Sequence, residues 1–130
     1  MLSILLVDDA LEDRELISEL VEKANTGVEV IAVSDGPSAV QVVTAKAFDC
    51  ALVDYYLDGE EGLSVLADVL KLQPDLPVVM LTGQISGSAV SSAIQSGATR
   101  CLSKTGMSSK RLWSTIEKAI ALKSALLLDR

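Results

Sequence analysis

Short apolar runs of β-type residues alternate along this 130-residue chain with stretches whose apolar residues repeat at helical spacing. Five candidate strands are each followed by a candidate helix, and the strands lie at residues 3–8, 29–33, 50–54, 77–81 and 100–103. At least three of these strands are apolar throughout, which is typical of strands covered on both faces. The alternation predicts one α/β domain, in which helices cover both faces of a five-stranded parallel sheet.

The candidate helices are marked by apolar stripes with a spacing of three to four residues. The five stripes are Leu16, Ile17, Leu20 and Val21; Ala39, Val40 and Val43; Leu63, Leu66 and Leu70; Val90, Ala93 and Ile94; and Leu112, Ile116, Ala119 and Ile120. The fourth helix lies in SGSAVSSAIQSG (86–97) and is expected to be the least stable, because Ser and Gly are poor helix formers. Its small side chains would serve either close packing or a segment that moves.

Charge and composition exclude several classes of function. The chain has 18 acidic and 11 basic residues, and its net charge of −7 argues against nucleic acid or an anionic membrane as the main partner. No apolar run approaches the roughly 20 residues needed to span a bilayer, and no cleavable leader is apparent, so a cytoplasmic location is expected. The chain has no His, which excludes His-based triads and His metal ligands. Cys50 and Cys101 are too few for a disulfide framework or a zinc site.

Four of the five predicted strands end in a reactive or charged side chain. The first ends at Asp8 and Asp9, the third at Asp54, the fourth at Thr82 and the fifth at Lys104. Open α/β sheets bind ligands outside the carboxyl ends of their strands, so these side chains are expected to converge. Three carboxylates at one edge repel one another unless a cation lies among them. Oxygen ligands alone favour a hard ion, and Mg²⁺ is the natural choice.

This combination points to phosphoryl chemistry, because a magnesium ion, an ammonium and a hydroxyl together stabilise a phosphoryl group. The remaining carboxylate would be the nucleophile and would form an aspartyl phosphate. All of these residues except Asp8 also have a structural interpretation. Asp9 could cap the first helix with Glu12 completing a capping box, Asp54 could be a turn residue, Thr82 could be a loop residue or a helix-side cap, and Lys104 could be solvated. One such residue is weak evidence for a site, whereas five at one edge are strong evidence.

Four motifs, taken together, strongly resemble the receiver domain of bacterial two-component response regulators. They are ILLVDD (4–9), CALVDYYLDGEEGL (50–63), VVMLTG (78–83) and SGATRCLSK (96–104). The resemblance implies a flavodoxin-like doubly wound (βα)5 fold with strand order 2-1-3-4-5 and a site between the first and third strands. It also implies a receiver domain over residues 1–122, with residues 123–130 extending the last helix.

The activity implied by this resemblance is that of a phosphoacceptor, not of an enzyme with an external substrate. Such a domain takes a phosphoryl group from a phosphohistidine on a sensor histidine kinase or a histidine phosphotransfer protein. It then switches its contacts with a downstream output domain or protein. Asp54 would accept the group, Thr82 would hydrogen-bond the phosphoryl oxygens and Lys104 would pair with their charge. The implied Mg²⁺ ligands are Asp8 (mainly through a metal-bound water), Asp9, Asp54 and the backbone carbonyl of Tyr56.

Three positions depart from the usual receiver pattern. Asp58 and Thr105 stand where receivers commonly carry Pro, and Cys101 stands where they carry a Tyr or Phe that turns inward during switching. Cys101 is small and packs as a hydrophobe, so the aromatic switch is in doubt and the fourth helix is an alternative route for the signal. In the implied strand order, Cys101 and Cys50 are about 10 Å apart, which is beyond the reach of a disulfide.

Tyr56 lies two residues after the acceptor Asp54, and Gln84 lies two residues after Thr82. In the family these two positions help to set how fast the acyl phosphate hydrolyses. The bulky Tyr56 is expected to shield the acyl phosphate from water and to lengthen its life.

Other functions fit the sequence less well. A pseudo-receiver that binds proteins without phosphorylation is favoured only by Cys101, and the complete set of strand-end residues weighs against it. An aspartyl phosphohydrolase commonly has a second acid where this chain has Tyr56. A flavin-binding protein would need a phosphate-cradling loop where this chain has the acidic DDALED.

The C-terminal segment EKAIALKSALLLDR (117–130) continues the last helical stripe through Ala119, Leu122 and Leu126. It predicts either a long final helix or the start of a connector to an output domain or to a homodimer partner. The chain is therefore either a stand-alone receiver or one module of a longer protein.

Overall fold

Seven strands and five helices make up the fold in a computed structural model, which describes residues 1–128. In chain order they are β1 (Leu2–Val7), α1 (Leu11–Ala24), β2 (Val28–Val33), α2 (Gly36–Ala45), β3 (Cys50–Asp54), β4 (Tyr56–Leu57), β5 (Glu60–Glu61), α3 (Gly62–Leu72), β6 (Val78–Thr82), α4 (Gly87–Gln95), β7 (Arg100–Ser103) and α5 (Ser109–Leu128).

Five of the strands pair in parallel to form the main sheet, in the order β2-β1-β3-β6-β7. Counted along the chain, this is the order 2-1-3-4-5, so the predicted fold class and topology are confirmed. The order reverses between β1 and β3, and ligands of open α/β sheets bind at such a switch point.

Successive side chains of β1 enter two different cores, because side chains alternate between the faces of a strand. Leu5 and Val7 belong to a cluster that includes buried side chains of α2 and α3. Ile4 and Leu6 belong to a second cluster that includes buried side chains of α1 and α5. All residues of β3 and β6 are buried, as the apolar character of these strands predicts. The two cores hold the carboxyl ends of the central strands in place.

The helical stripes are confirmed in part. Most of their members are buried or partly buried, but Leu16 is 54% exposed and Ile94 is 46% exposed. The prediction that Asp9 caps the first helix is wrong: the N-cap of α1 is Ala10, which makes no side-chain capping bond. Instead, the backbone N–H of Ala10 donates to Asp8 Oδ1 at 3.0 Å. The capping box with Glu12 therefore does not form.

The last two helices differ in how many of their residues are buried, with one in α4 and three in α5. Only Ala93 of α4 is buried, which agrees with the prediction that this is the least stable helix, although its stability stays a prediction.

α5 is a single helix of 20 residues, and Leu122 and Leu126 on its distal half are 40% and 53% exposed. Of the predicted helical extension at 123–130, residues 129–130 lie outside the described residues. Among the helices of residues 1–128, none is both long enough and apolar enough to cross a membrane.

Candidate functional site

Two neighbouring strands bring the first carboxylates together. β1 and β3 pair in register through Val7 and Val53, and the next residues along the two strands are Asp8 and Asp54. Asp8 has no exposed surface and Asp54 is 7% exposed. Buried carboxylates are costly unless they are paired, so their partners determine what this edge of the sheet can do.

Asp9 completes a group of three carboxylates. Asp8, Asp9 and Asp54 each offer an oxygen atom, and these atoms all lie within 4.8 Å of one another. Asp9 is exposed and accepts a hydrogen bond from the backbone N–H of Asp58 at 3.2 Å. The N–H of Tyr56 donates to Asp54 Oδ1, also at 3.2 Å. The loop after β3 is thus held against the carboxylate group at two points.

The side chain of Lys104 reaches the same site from the end of β7, which is separated from β3 by β6. Its ammonium donates to Asp8 Oδ2 at 2.6 Å and to Asp54 Oδ2 at 2.9 Å. The backbone N–H of Lys104 donates to the carbonyl of Thr82 at 2.8 Å, and this bond fixes the lysine backbone beside the end of β6. A third bond, at 2.9 Å, goes to Asp13 Oδ2 on α1.

Burial and charge act in opposite directions on the two ends of this ion pair. Burial raises the pKa of Asp54, and the bonds from Lys104 and Tyr56 oppose that rise without cancelling it. Burial lowers the pKa of Lys104, but hydrogen bonds to Asp8, Asp54 and Asp13 outweigh it, and the pKa lies above its usual range. Lys104 therefore stays charged, whereas the Asp54 carboxylate is less favourable than in water. An added cation would relieve this cost.

The predicted hydroxyl also lies at this edge, but it faces its own loop. Thr82 is 4% exposed, and its Oγ1 donates to the backbone carbonyl of Gln84 at 3.0 Å. The Gln84 side chain itself is exposed. Thr105, which follows Lys104, donates its hydroxyl to the carbonyl of Gly83 at 2.9 Å. Two hydroxyls thus hold the β6–α4 loop next to the site.

The predicted tuning residue Tyr56 and the predicted switch residue Cys101 lie in different surroundings. Tyr56 is 68% exposed, and its ring packs against that of Tyr55 with 4.9 Å between ring centroids. Cys101 pairs in register with Met80 and packs against the buried cluster on the α2 and α3 face. The prediction that Cys101 and Cys50 are not bonded to each other is confirmed, since both thiols are free.

Sequence reasoning missed two features of the site. The first is Asp13, the third partner of Lys104. The second is the antiparallel hairpin of β4 and β5 directly after the acceptor strand. In this hairpin, Glu60 Oε1 accepts from the backbone N–H of Gly36 at 2.6 Å, at the start of α2. The DG pair at residues 58–59 was a hairpin signal in the sequence, and Gly59 has the positive φ (77°) that such a turn needs.

The donor set fits a hard divalent cation. It consists of carboxylate oxygens only, and Mg²⁺ prefers few carboxylates together with its own waters. Asp8, Asp9 and Asp54 could hold such an ion, with Asp9 on the exposed side where waters have access. The Lys104 ammonium pairs with Asp8, Asp13 and Asp54, so one positive charge offsets three carboxylates and negative charge remains for a cation to neutralise.

Comparison with known proteins agrees with the fold and identifies a family. The family model for the response regulator receiver domain matches residues 4–117. The transcriptional regulatory protein ZraR of Escherichia coli K12 is 28% identical over 120 residues, which cover 92% of this chain and 26% of that protein. The chain spans about a quarter or less of the length of the curated relatives it matches first.

Two solved structures extend the comparison. The receiver domain of NtrX from Brucella abortus is 31% identical with a TM-score of 0.82, and the match covers 91% of this chain and 98% of that one. A response regulator from Burkholderia pseudomallei, solved with a phosphorylated aspartic acid, a calcium ion and citrate, is 24% identical with a TM-score of 0.76. That match covers 99% of this chain and 72% of the other, and it bears on the fold alone.

The topology, the acidic pocket at the switch point and the family match over most of the chain agree with one another. The chain therefore belongs to the response regulator receiver domain family, which consists of signalling phosphoacceptor domains of two-component systems and not of enzymes with external substrates.

Proposed function

We propose that this domain accepts a phosphoryl group on Asp54 from a phosphohistidine partner, with Mg²⁺ bound, and thereby switches its contacts with other proteins. One observation carries the proposal. The Asp54 carboxylate lies at the end of its strand, within 4.8 Å of the Asp8 and Asp9 oxygens and 2.9 Å from the Lys104 ammonium. A buried nucleophile with that surrounding charge suits an incoming dianion once a metal is present.

Each residue has a defined task in the transfer. An Asp54 oxygen forms the new bond to phosphorus while the bond from phosphorus to the imidazole nitrogen breaks. The electron pair of that bond stays on the imidazole, which takes up a proton from solvent as it leaves. Lys104 pairs with the phosphoryl charge, and the Thr82 hydroxyl leaves the Gln84 carbonyl to donate to a phosphoryl oxygen. Asp8, Asp9, Asp54 and the Tyr56 carbonyl would hold Mg²⁺, which would supply neutralising charge. The Burkholderia protein, which shares the fold, was solved with a phosphorylated aspartic acid.

The partners follow from the same proposal. The donor is a sensor histidine kinase or a histidine phosphotransfer protein, and the receiver of the signal is an output domain or a separate protein. Residues 1–122 act as the receiver, in the cytoplasm, and Tyr56 and Gln84 tune the life of the acyl phosphate. Because Cys101 replaces the usual aromatic residue, α4 carries the signal instead of an aromatic rotamer.

The exposed side chains of Leu122 and Leu126 on α5 support a role for the segment from residue 123 onward as a connector or a homodimer contact. Sedimentation of the parent with and without a phosphoryl mimic tests the dimer. Monomers at high concentration in both states would count against it.

Intact-mass measurement after incubation with phosphoramidate and Mg²⁺ tests the main proposal. The parent should gain one phosphoryl group, Asp54→Ala should gain none, and Asp58→Asn, a change to a nearby exposed acid, should label like the parent. A parent that stays unlabelled where another receiver labels would favour the pseudo-receiver, for which the small side chain at Cys101 is the supporting observation.

A further inference from the structure

Asp13 has no role in the chemistry described so far, yet it contacts the key lysine. It lies in the first turn of α1, and its Oδ2 accepts from Lys104 Nζ at 2.9 Å. Its carboxylate is not among the three whose oxygens form the metal-binding group, Asp8, Asp9 and Asp54. We propose, given the phosphoacceptor function, that Asp13 is a positioning residue that anchors the Lys104 ammonium for phosphoryl transfer.

The hydrogen-bond capacity of the ammonium carries the argument. A lysine ammonium has three N–H donors, and here each donor has one carboxylate acceptor, on Asp8, Asp13 and Asp54. When Asp54 becomes an acyl phosphate, its oxygen is a weaker acceptor and a phosphoryl oxygen takes over that N–H. The other two bonds persist, so Asp8 and Asp13 aim the third N–H of Lys104 at the phosphoryl group.

The two anchors differ in kind. Asp8 is fully buried, and its Oδ1 is already bonded to the N–H of Ala10. The Asp13 side chain is 42% exposed and approaches from α1, which is a different element. Without Asp13, the bond to Asp8 would be the only one left besides the bond to Asp54 or to the phosphoryl group, and the flexible four-carbon side chain would sample other rotamers. The productive position of Lys104 would be populated less, and transfer would slow.

The negative charge of Asp13 by itself would slow phosphoryl transfer, because a nearby anion repels an incoming phosphoryl group. Removing that charge alone should therefore speed transfer. Glu12 provides the matched control: it is an exposed acid of the same helical turn, and in residues 1–128 the Lys104 ammonium is bonded to three other acids and not to Glu12. Glu12→Gln and Asp13→Asn remove the same charge, and only the second removes the contact. Asp13→Glu keeps the carboxylate on a longer side chain.

Phosphorylation rates with phosphoramidate at saturating Mg²⁺ test the proposal on the full chain. Asp13→Asn should be about two- to fivefold slower than Glu12→Gln, the range expected for one partly exposed ion pair. Asp13→Glu should recover at least half of the loss. The Lys104 ¹⁵Nζ signal should lose its protection from exchange in Asp13→Asn and keep it in Glu12→Gln, a change that a purely structural role for Asp13 would not produce.

The outcomes separate this proposal from the one on which it rests. Equal rates for Asp13→Asn and Glu12→Gln, or a faster Asp13→Asn, would overturn the role of Asp13 while the parent still labels on Asp54. A parent that does not label overturns the phosphoacceptor function, and the role of Asp13 falls with it. An unfolding midpoint of Asp13→Asn equal to that of Glu12→Gln excludes loss of stability as the cause of a slower rate.

Discussion

Removing the ammonium of Lys104 tests the electrostatic account of the site. Lys104→Met keeps most of the side-chain volume and leaves Asp8 and Asp54 without their cation. The Asp8 side chain has no exposed surface, that of Asp54 is 10% exposed and that of Lys104 is 20% exposed. Breaking a buried pair on one side typically costs about 3–5 kcal/mol of stability. The partial exposure of Lys104 places the expected loss at the lower end, at about 3 kcal/mol.

Lys46→Met is the matched control. The Lys46 ammonium lies 3.1 Å from Glu29, but the two side chains are 41% and 44% exposed. Such a surface pair contributes about 0–1 kcal/mol. Urea unfolding at pH 7 and low salt, with metal chelated, should therefore separate the two variants by about 2 kcal/mol or more.

Magnesium should offset part of the stability lost in Lys104→Met. In the parent, a bound Mg²⁺ would share the carboxylates of Asp8 and Asp54 with Lys104, whereas in Lys104→Met it would not. Saturating Mg²⁺ should raise the unfolding free energy of Lys104→Met more than that of the parent, because binding to the folded state adds stability. A loss no larger than that of Lys46→Met, or a greater gain from Mg²⁺ in the parent, would refute this account of the site.

Three further predictions concern the acceptor and its loop. A Cβ on Gly62 would overlap the backbone oxygen of Asp54, so Gly62→Ala should cost about 3 kcal/mol of stability and slow labelling. A Cβ on Gly87 meets open space, so Gly87→Ala should do neither; calorimetry and intact mass check both variants. Because the pKa of Asp54 is raised in the folded state, its charge lowers stability at neutral pH, and that penalty disappears as the pH falls through the raised pKa toward the unfolded value of about 3.9. Without metal, Asp54→Asn should therefore unfold at higher urea than the parent at pH 7, with no such advantage at pH 3.5; a lower midpoint at pH 7 would contradict this. The exposed Tyr56 ring is expected to shield the acyl phosphate, so Tyr56→Ala should lose its phosphoryl group faster in a decay assay, and equal or slower loss would contradict the shielding.

Much of the site follows from the sequence because parallel strands end at a common edge. The apolar runs fix where β1 and β3 end, so the polar residues that follow them, Asp8 and Asp54, had to meet wherever those strands paired. The same logic placed Thr82 and Lys104 at that edge. These predictions needed only the period of a strand and its direction.

Tertiary packing decided the features that depend on how far apart two helices or loops lie. Asp13 and Lys104 are 91 residues apart in sequence, and their contact exists because α1 packs beside the β7–α5 loop at ion-pair distance. Leu16 belongs to the apolar stripe of α1 and is nevertheless exposed, because the packed face of the helix is narrower than the stripe. Asp9 has the residue type of a helix cap, but the cap of α1 is the next residue, Ala10. The carboxylate of Asp9 lies instead with those of Asp8 and Asp54. Period and residue type are local properties of the chain, whereas these contacts are set by the distances between packed elements.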